Sequence, residues 1–252
     1  MSRIIAFLYG TIAYVLFLIV FLYAIGFVGN IVVPKSIDSG DAVPFAEALL
    51  VNIILLGIFA IQHSVMARRA FKAWWTKIVP AEIERSTFVL FTNAVLALLF
   101  WQWRPMTDTV WNVEGTIGAT ILTVLFWAGW LLVLLSTFLI NHFDLFGLHQ
   151  VYMNLKKRKL STPSFTTRFL YKYIRHPLLL GFIIGFWATP SMSVGHLVFA
   201  VVTTIYMLIA IQLEEKDMVA RFGDTYTKYQ SEVPMLIPTG RTATSQKNEA
   251  PT

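Results

Sequence analysis

Apolar residues in this chain gather in unbroken runs, without the one-sided spacing of a helix lying on a water-facing surface. Runs at 4–31, 45–65, 88–103 and 117–140 approach or exceed the roughly 20 helical residues that cross a hydrocarbon core. Two shorter runs follow, 178–188 and 194–213, with only Thr189-Pro190-Ser191-Met192-Ser193 between them. The stretch from Leu178 to Pro190 would rise about 20 Å as a helix, too short to cross unaided. It carries Gly181 and Gly185, a small-xxx-small spacing that admits a close helix neighbour, although two chance glycines would look the same. The pattern predicts an all-α integral membrane protein, a polytopic helical bundle of five to six transmembrane helices with a short C-terminal helical hairpin. The first run is too long for a cleavable signal and has no small-residue cleavage site before a polar chain, so it is expected to remain as a helix.

Composition supports the same class. Charged residues are 13% of the chain, against about 25% in a soluble domain, too few to cover a core with polar surface. With no cysteine, a disulfide scaffold, a cysteine-based zinc site and a cysteine nucleophile are all excluded. Of the 20 Lys and Arg residues, only Lys35 and Arg104 fall on one side of the expected spans, and the other 18 fall on the opposite side. The positive-inside rule then puts both the N- and C-termini in the cytoplasm, with the chain in the cell membrane. The net charge of +6 is read as topology and contact with anionic membrane lipid, with no nucleic acid implied. The expected organisation is a four-helix transmembrane region over 1–140, a cytoplasmic-face cofactor-binding segment with the hairpin over 141–238, and a small-residue, polar tail over 239–252 expected to be disordered.

Polar side chains at membrane-span ends call for an explanation, and four clusters gather at the expected cytoplasmic ends. The first is Tyr173-Ile174-Arg175-His176-Pro177 with Gly181; Pro177 suits a first helical turn, whose free N–H groups beside Arg175 can cradle a carboxylate or phosphate. The second is the pair Glu214-Glu215, followed by Tyr226, Tyr229 and Val233-Pro234, able to receive an amine or ribose hydroxyls. The third is Asn141-His142-Phe143-Asp144 with Gly147, His149 and Gln150. His142 and Asp144 would not face each other on a regular helix, so a direct bond requires a break, which Gly147 permits. The fourth is Gln62-His63-Ser64 with Glu84-Arg85. Each has a plain alternative: a snorkelling arginine at a helix start, a solvated carboxylate pair, an ordinary end-of-helix histidine. Metal binding fits poorly, since the spacing matches no zinc or iron pattern.

The order Arg175-His176-Pro177, Gly181, Glu214-Glu215, Phe222-Gly223, Tyr226, Tyr229, Val233-Pro234 over about 70 residues resembles the isoprenylcysteine carboxyl methyltransferase superfamily of membrane enzymes. Gln62-His63-Ser64 through Arg68, Glu84-Arg85-Ser86 and Asn141-His142-Phe143-Asp144 with Gly147 look like its bacterial thiol-methylating branch, which acts on methanethiol. The resemblance implies S-adenosylmethionine as cofactor and a small thiol as substrate. It also implies a cofactor site drawn from Gly147, His149, Gln150, Tyr173, Arg175, His176, Pro177, Gly181, Glu214, Glu215, Tyr226 and Tyr229.

Two departures bear on the acceptor. Leu179 stands where prenylcysteine-methylating members tend to carry tyrosine, and Ala210 where they carry an arginine four residues before the glutamates. A site binding a carboxylate substrate would not lack its cation, because an unpaired buried charge is costly; a small neutral thiol needs none. A membrane methyltransferase acting on a lipid or isoprenylcysteine, and a non-enzymatic membrane component of the denitrification-associated type, are the alternatives. The attacking sulfur must be a thiolate, so a base is expected: His142 first, with Asp144 orienting it or serving in its place, and His63 and His149 in reserve.

Overall fold

A computed structural model describes residues 2–160, 167 and 169–238; the expected tail lies outside them. Five long apolar helices have the length and composition of membrane spans: α1 (Arg3–Gly29), α2 (Phe45–Ala67), α4 (Ala81–Gln102), α5 (Ile117–Ile140) and α9 (Val194–Phe222). Between them lie α3 (Arg69–Trp75), α6 (His142–Leu145), α7 (Leu148–Leu155) and the short apolar α8 (Pro177–Trp187); α10 (Asp224–Glu232) follows α9. The bundle is all-α in character and polytopic, as the apolar runs predict.

Two elements run past their apolar cores. The third span begins at Ala81 and not near residue 88, so Glu84 and Arg85 sit inside its first turns. α9 continues through Glu214-Glu215 to Phe222. At about 1.5 Å per residue, the 20 steps from Val194 to Glu214 span about 30 Å, which puts the glutamate pair at one end of a hydrocarbon core. Helix hydrogen bonds propagate regardless of side-chain polarity, so an element continues until its backbone is capped, here by Gly223 at φ 54.

The glycine pair of the short run is used by α5 rather than by its hairpin partner. A Cβ on Gly181 would lie 2.7 Å from the Gly129 carbonyl oxygen and 2.8 Å from the Val133 nitrogen, and one on Gly129 would lie 2.6 Å from the Gly185 nitrogen. The two backbones therefore touch, which only glycine on both sides allows. α8 and α9 are held more loosely, through Trp187 Nε1 donating to Thr204 Oγ1 (2.9 Å) and the His196 ring against the Phe186 carbonyl (2.8 Å).

A small element that the apolar pattern hid closes the end opposite the basic one. β1 (Thr109–Asn112) pairs antiparallel with β2 (Ser191–Ser193), aligning Thr109 with Ser193 and Asn112 with Ser191. Trp103, fully buried, donates to the Ile37 carbonyl (3.0 Å), and Asn52 exchanges two hydrogen bonds with the Arg104 backbone. The main apolar core lies just inside this seal, around Phe27, Phe100, Phe126, Trp130 and Phe199. The opposite, Lys- and Arg-rich end is left for polar chemistry.

Candidate active site

At the basic end the chain breaks its helices twice to bring polar groups inward. Asn141 caps both α5 and α6, and Gly147, at φ 86, starts α7. Gly147 is required on two counts, since a Cβ there would also meet the Ser86 nitrogen at 2.7 Å. The break turns His142 back into the bundle, where it is 3% exposed.

Both ring nitrogens of His142 are taken: Nδ1 lies 2.8 Å from Thr137 Oγ1, and Nε2 lies 2.8 Å from Tyr14 Oη. Phe138 stacks on the ring at 4.2 Å. Burial holds its pKa below the ordinary value, so the neutral imidazole is favoured. Asp144 does not orient His142. The expected histidine–aspartate bond forms with the other histidine, His149 Nδ1, while Asn141 holds the second carboxylate oxygen. The break places residues 144 and 149 on one side of the turn and residue 142 on the other. Gln150 donates to the Asp144 carbonyl (3.0 Å), leaving its Oε1 buried with no hydrogen-bond partner.

His63 is placed differently. Thr92 Oγ1 donates to the Phe88 carbonyl (3.0 Å) and lies 3.5 Å from His63 Nδ1. The same hydroxyl lies 3.4 Å from Gln62 Oε1, so Thr92 and Gln62 hold the Nδ1 side of the ring. Among the described residues, Nε2 has no hydrogen-bond partner. The ring stacks on Phe59 (5.4 Å) and leans on Phe88 (5.1 Å). Beyond Phe88 lies Arg85, its guanidinium 4.8 Å from the ring centroid and its Nε donating to the Leu145 carbonyl at 2.7 Å. His63 and Arg85 are each half-buried at the junction of α2, α4 and the α6–α7 turn.

The third group forms a clasp. Arg175 Nε meets Glu215 Oε1 at 2.6 Å, and its Nη1 donates to the carbonyls of Gln230 (2.9 Å) and Val233. His176 Nε2 reaches the same carboxylate at 3.0 Å, and Gln230 Nε2 reaches Oε2 at 2.9 Å. The Arg175 and His176 backbone N–H groups donate to the Pro234 and Met235 carbonyls, at 2.9 and 3.1 Å. Arg175 is thus occupied in folding the chain after α10 back onto the start of α8. Pro177 opens α8, while Gly181 faces α5 as described. Tyr226 and Tyr229 are buried beneath α10, with Tyr229 Oη donating to the Tyr171 carbonyl (2.6 Å). Burial, reinforced by nearby carboxylates, holds Tyr171 and Tyr226 well above the ordinary tyrosine range.

What stays free beside the clasp is Glu214, 59% exposed at its side chain and 3.8 Å from His176 Nδ1. Tyr171, whose hydroxyl is buried without a partner, is close enough to Glu214 to feel its charge, and Tyr173 two residues on is exposed. α2, which carries His63, is tied to α9, which carries Glu214: Ser64 Oγ lies 3.2 Å from Tyr206 Oη, and Arg68 pairs with Asp217 at 3.0 Å. Because α5 and α8 are antiparallel and touch at Val133 and Gly181, one further turn along each brings Thr137, the partner of His142, level with Pro177. Sequence reasoning missed Tyr14, Thr137, Thr92 and Tyr206. Their only signal was a hydroxyl within an otherwise apolar run.

The phospholipid methyltransferase family matches residues 119–225, which takes in Arg175, His176 and Glu215 of the clasp but neither its Gln230–Met235 side nor His63 and Arg85. The chain is 54% identical over 238 residues to the methanethiol S-methyltransferase of Crocosphaera subtropica, covering 94% of this chain and 93% of that one. It is 51% identical to the enzyme of the same name from Mycobacterium tuberculosis, over 94% and 98% of the two chains. The chain belongs to the methanethiol S-methyltransferase family. It is therefore a multi-pass membrane methyltransferase. Nurim of Mus musculus is a more distant likeness, 29% identical over 175 residues and 66% of each chain. No solved structure matches.

Proposed function

We propose that the protein methylates methanethiol to dimethyl sulfide with S-adenosylmethionine as donor, at the cytoplasmic face of the cell membrane. One observation carries the reading: likeness to the methanethiol enzymes extends over 94% of the chain, so it includes the first half, which carries His63 and Arg85. The 18 Lys and Arg residues on the side of this end support its cytoplasmic placement.

The residues present fit the donor. Gln150 Oε1 and Glu84 Oε1 are buried acceptors without partners, and the Tyr171 hydroxyl is a buried group likewise unmatched, a costly arrangement unless a ligand completes it. Glu214, Gln150 and Glu84 would accept from the ribose hydroxyls and amine, and Tyr173 would face the cationic end. When bound, the donor supplies an electrophilic methyl on a sulfonium sulfur.

The chain's own residues hold the acceptor in line, exclude water and remove its proton. His63 is the base that the geometry favours, because its Nε2 has no hydrogen-bond partner among the described residues, whereas His142 has both nitrogens engaged and holds α5, α6 and α1 together. The Arg175–Glu215 clasp fixes the wall carrying Glu214. Headspace gas analysis of the purified protein with S-adenosylmethionine and methanethiol is expected to show dimethyl sulfide. A methylated lipid in its place, with no volatile product, would overturn the reading.

A further inference from the structure

We propose that Arg85 is a catalytic residue, its guanidinium receiving the acceptor sulfur as the S–H proton leaves for His63. The assignment rests on the preceding reading that the acceptor is a thiol, and names the group that makes its sulfur reactive.

Arg85 differs from the two ion-paired arginines of this end. Arg175 is paired with Glu215, and Arg68 with Asp217. Arg85, half-buried in the first turns of α4, has only the Leu145 carbonyl and the Phe88 ring, and among the described residues no carboxylate comes within ion-pair distance of it. Its sequence neighbour Glu84 leaves Oε1 buried and without a hydrogen bond. A half-buried cation whose nearest carboxylate, Glu84, makes no ion pair with it can still receive an anion that forms in the reaction.

Two anions are candidates, the donor's carboxylate and a thiolate. The neighbourhood of His63 favours the thiolate. Arg85 and His63 both pack against the buried Phe88 ring, 4.8 Å from its centroid to the guanidinium and 5.1 Å to the imidazole, so a small group beside that ring would have both within reach. A carboxylate arrives already ionised and has no use for a neutral base. A thiol needs such a base and then needs a cation. The step balances: the S–H bond breaks, its proton forms an N–H bond at His63 Nε2, and the electron pair stays on a sulfur facing the guanidinium. The charged and titratable groups around Arg85 are Glu84 on its own helix, Lys72 from α3 and His63 from α2. Lys72 is held below its ordinary pKa by burial and by the charge of Arg85, a sign that this field is felt beyond α4.

The test uses the full chain in detergent and ethanethiol as probe, without donor, following thiolate ultraviolet absorbance against pH. Arg85→Gln keeps a donor for the Leu145 carbonyl and removes the charge; Arg85→Lys keeps the charge. Arg85→Gln is expected to raise the pH of half-ionisation of bound ethanethiol by about one unit or more, a tenfold loss of thiolate at fixed pH. Donor affinity by calorimetry should be unchanged, and Arg85→Lys should stay nearer the parent. The loss of kcat/KM in Arg85→Gln should shrink for a more acidic aryl thiol. An unchanged half-ionisation pH in folded Arg85→Gln overturns the proposal. So does a tenfold loss of donor affinity in that variant, which would assign Arg85 to the donor carboxylate. If Arg85→Gln does not fold, Arg85→Lys and the aryl-thiol comparison decide. Ethanethiol ionising as expected in a protein that forms no dimethyl sulfide would refute the methanethiol reading and leave the Arg85 assignment standing.

Discussion

Replacing Glu215 by glutamine separates two adjacent carboxylates that look equivalent in the sequence. Glu215 and Arg175 are 9% and 11% exposed at their side chains and meet at 2.6 Å, with His176 and Gln230 on the same carboxylate. Removing one charge of a buried pair costs about 3–5 kcal/mol, because the partner is left uncompensated. Glutamine keeps the shape and part of the hydrogen bonding, so the low end, about 3 kcal/mol, is expected. At about 1.4 kcal/mol per decade, this raises local opening of the clasp roughly a hundredfold. The effect should concentrate where Arg175 and His176 hold the chain, at Gln230, Val233, Pro234 and Met235, and should spare the α5–α8 contact. Hydrogen exchange followed by mass spectrometry reads this directly: amides of 224–235 should lose protection while those of 125–135 keep theirs. Glu214→Gln, at an exposed carboxylate, should leave exchange and melting alone and weaken S-adenosylmethionine binding by calorimetry. Unchanged protection of 224–235 in Glu215→Gln, or equal effects of the two substitutions, would refute the division into clasp and ligand wall.

Gly129→Ala puts a methyl 2.6 Å from the Gly185 nitrogen, and because backbone cannot step aside a loss of about 1–3 kcal/mol is expected; an unchanged melting temperature in detergent would count against direct contact of α5 and α8. His142, held by burial below its ordinary pKa of about 6.5, contributes stability that is present above the unfolded value and lost as pH falls through the folded one. Thermal stability should therefore decline on acidification below about pH 6.5, and His142→Gln should flatten that slope; an identical slope in the variant would show that another group is responsible. His63→Ala should lower methyl transfer at neutral pH by about 10²–10⁴-fold with recovery towards alkaline pH, while full activity at pH 7 would remove His63 as the base.

The apolar runs were enough to specify a helical membrane bundle, because a bilayer demands long stretches with every backbone hydrogen bond satisfied internally, and that demand is written locally along the chain. The charge asymmetry, the polar clusters and the Arg175-His176-Pro177 and Glu214-Glu215 signatures were legible for the same reason. Local pattern could not say which groups meet. His142 and Asp144 are two residues apart, yet the breaks at Asn141 and Gly147 send one to Tyr14 and the other to His149. Arg175 and Arg85 read alike as basic residues at span ends, and only the packing of α9 beside the start of α8 gives Arg175 a carboxylate, while Arg85 makes no ion pair among the described residues. Helix ends, the β1–β2 pairing and the partner of Gly181 depend on contacts between residues far apart in sequence, so they were decided by packing in three dimensions.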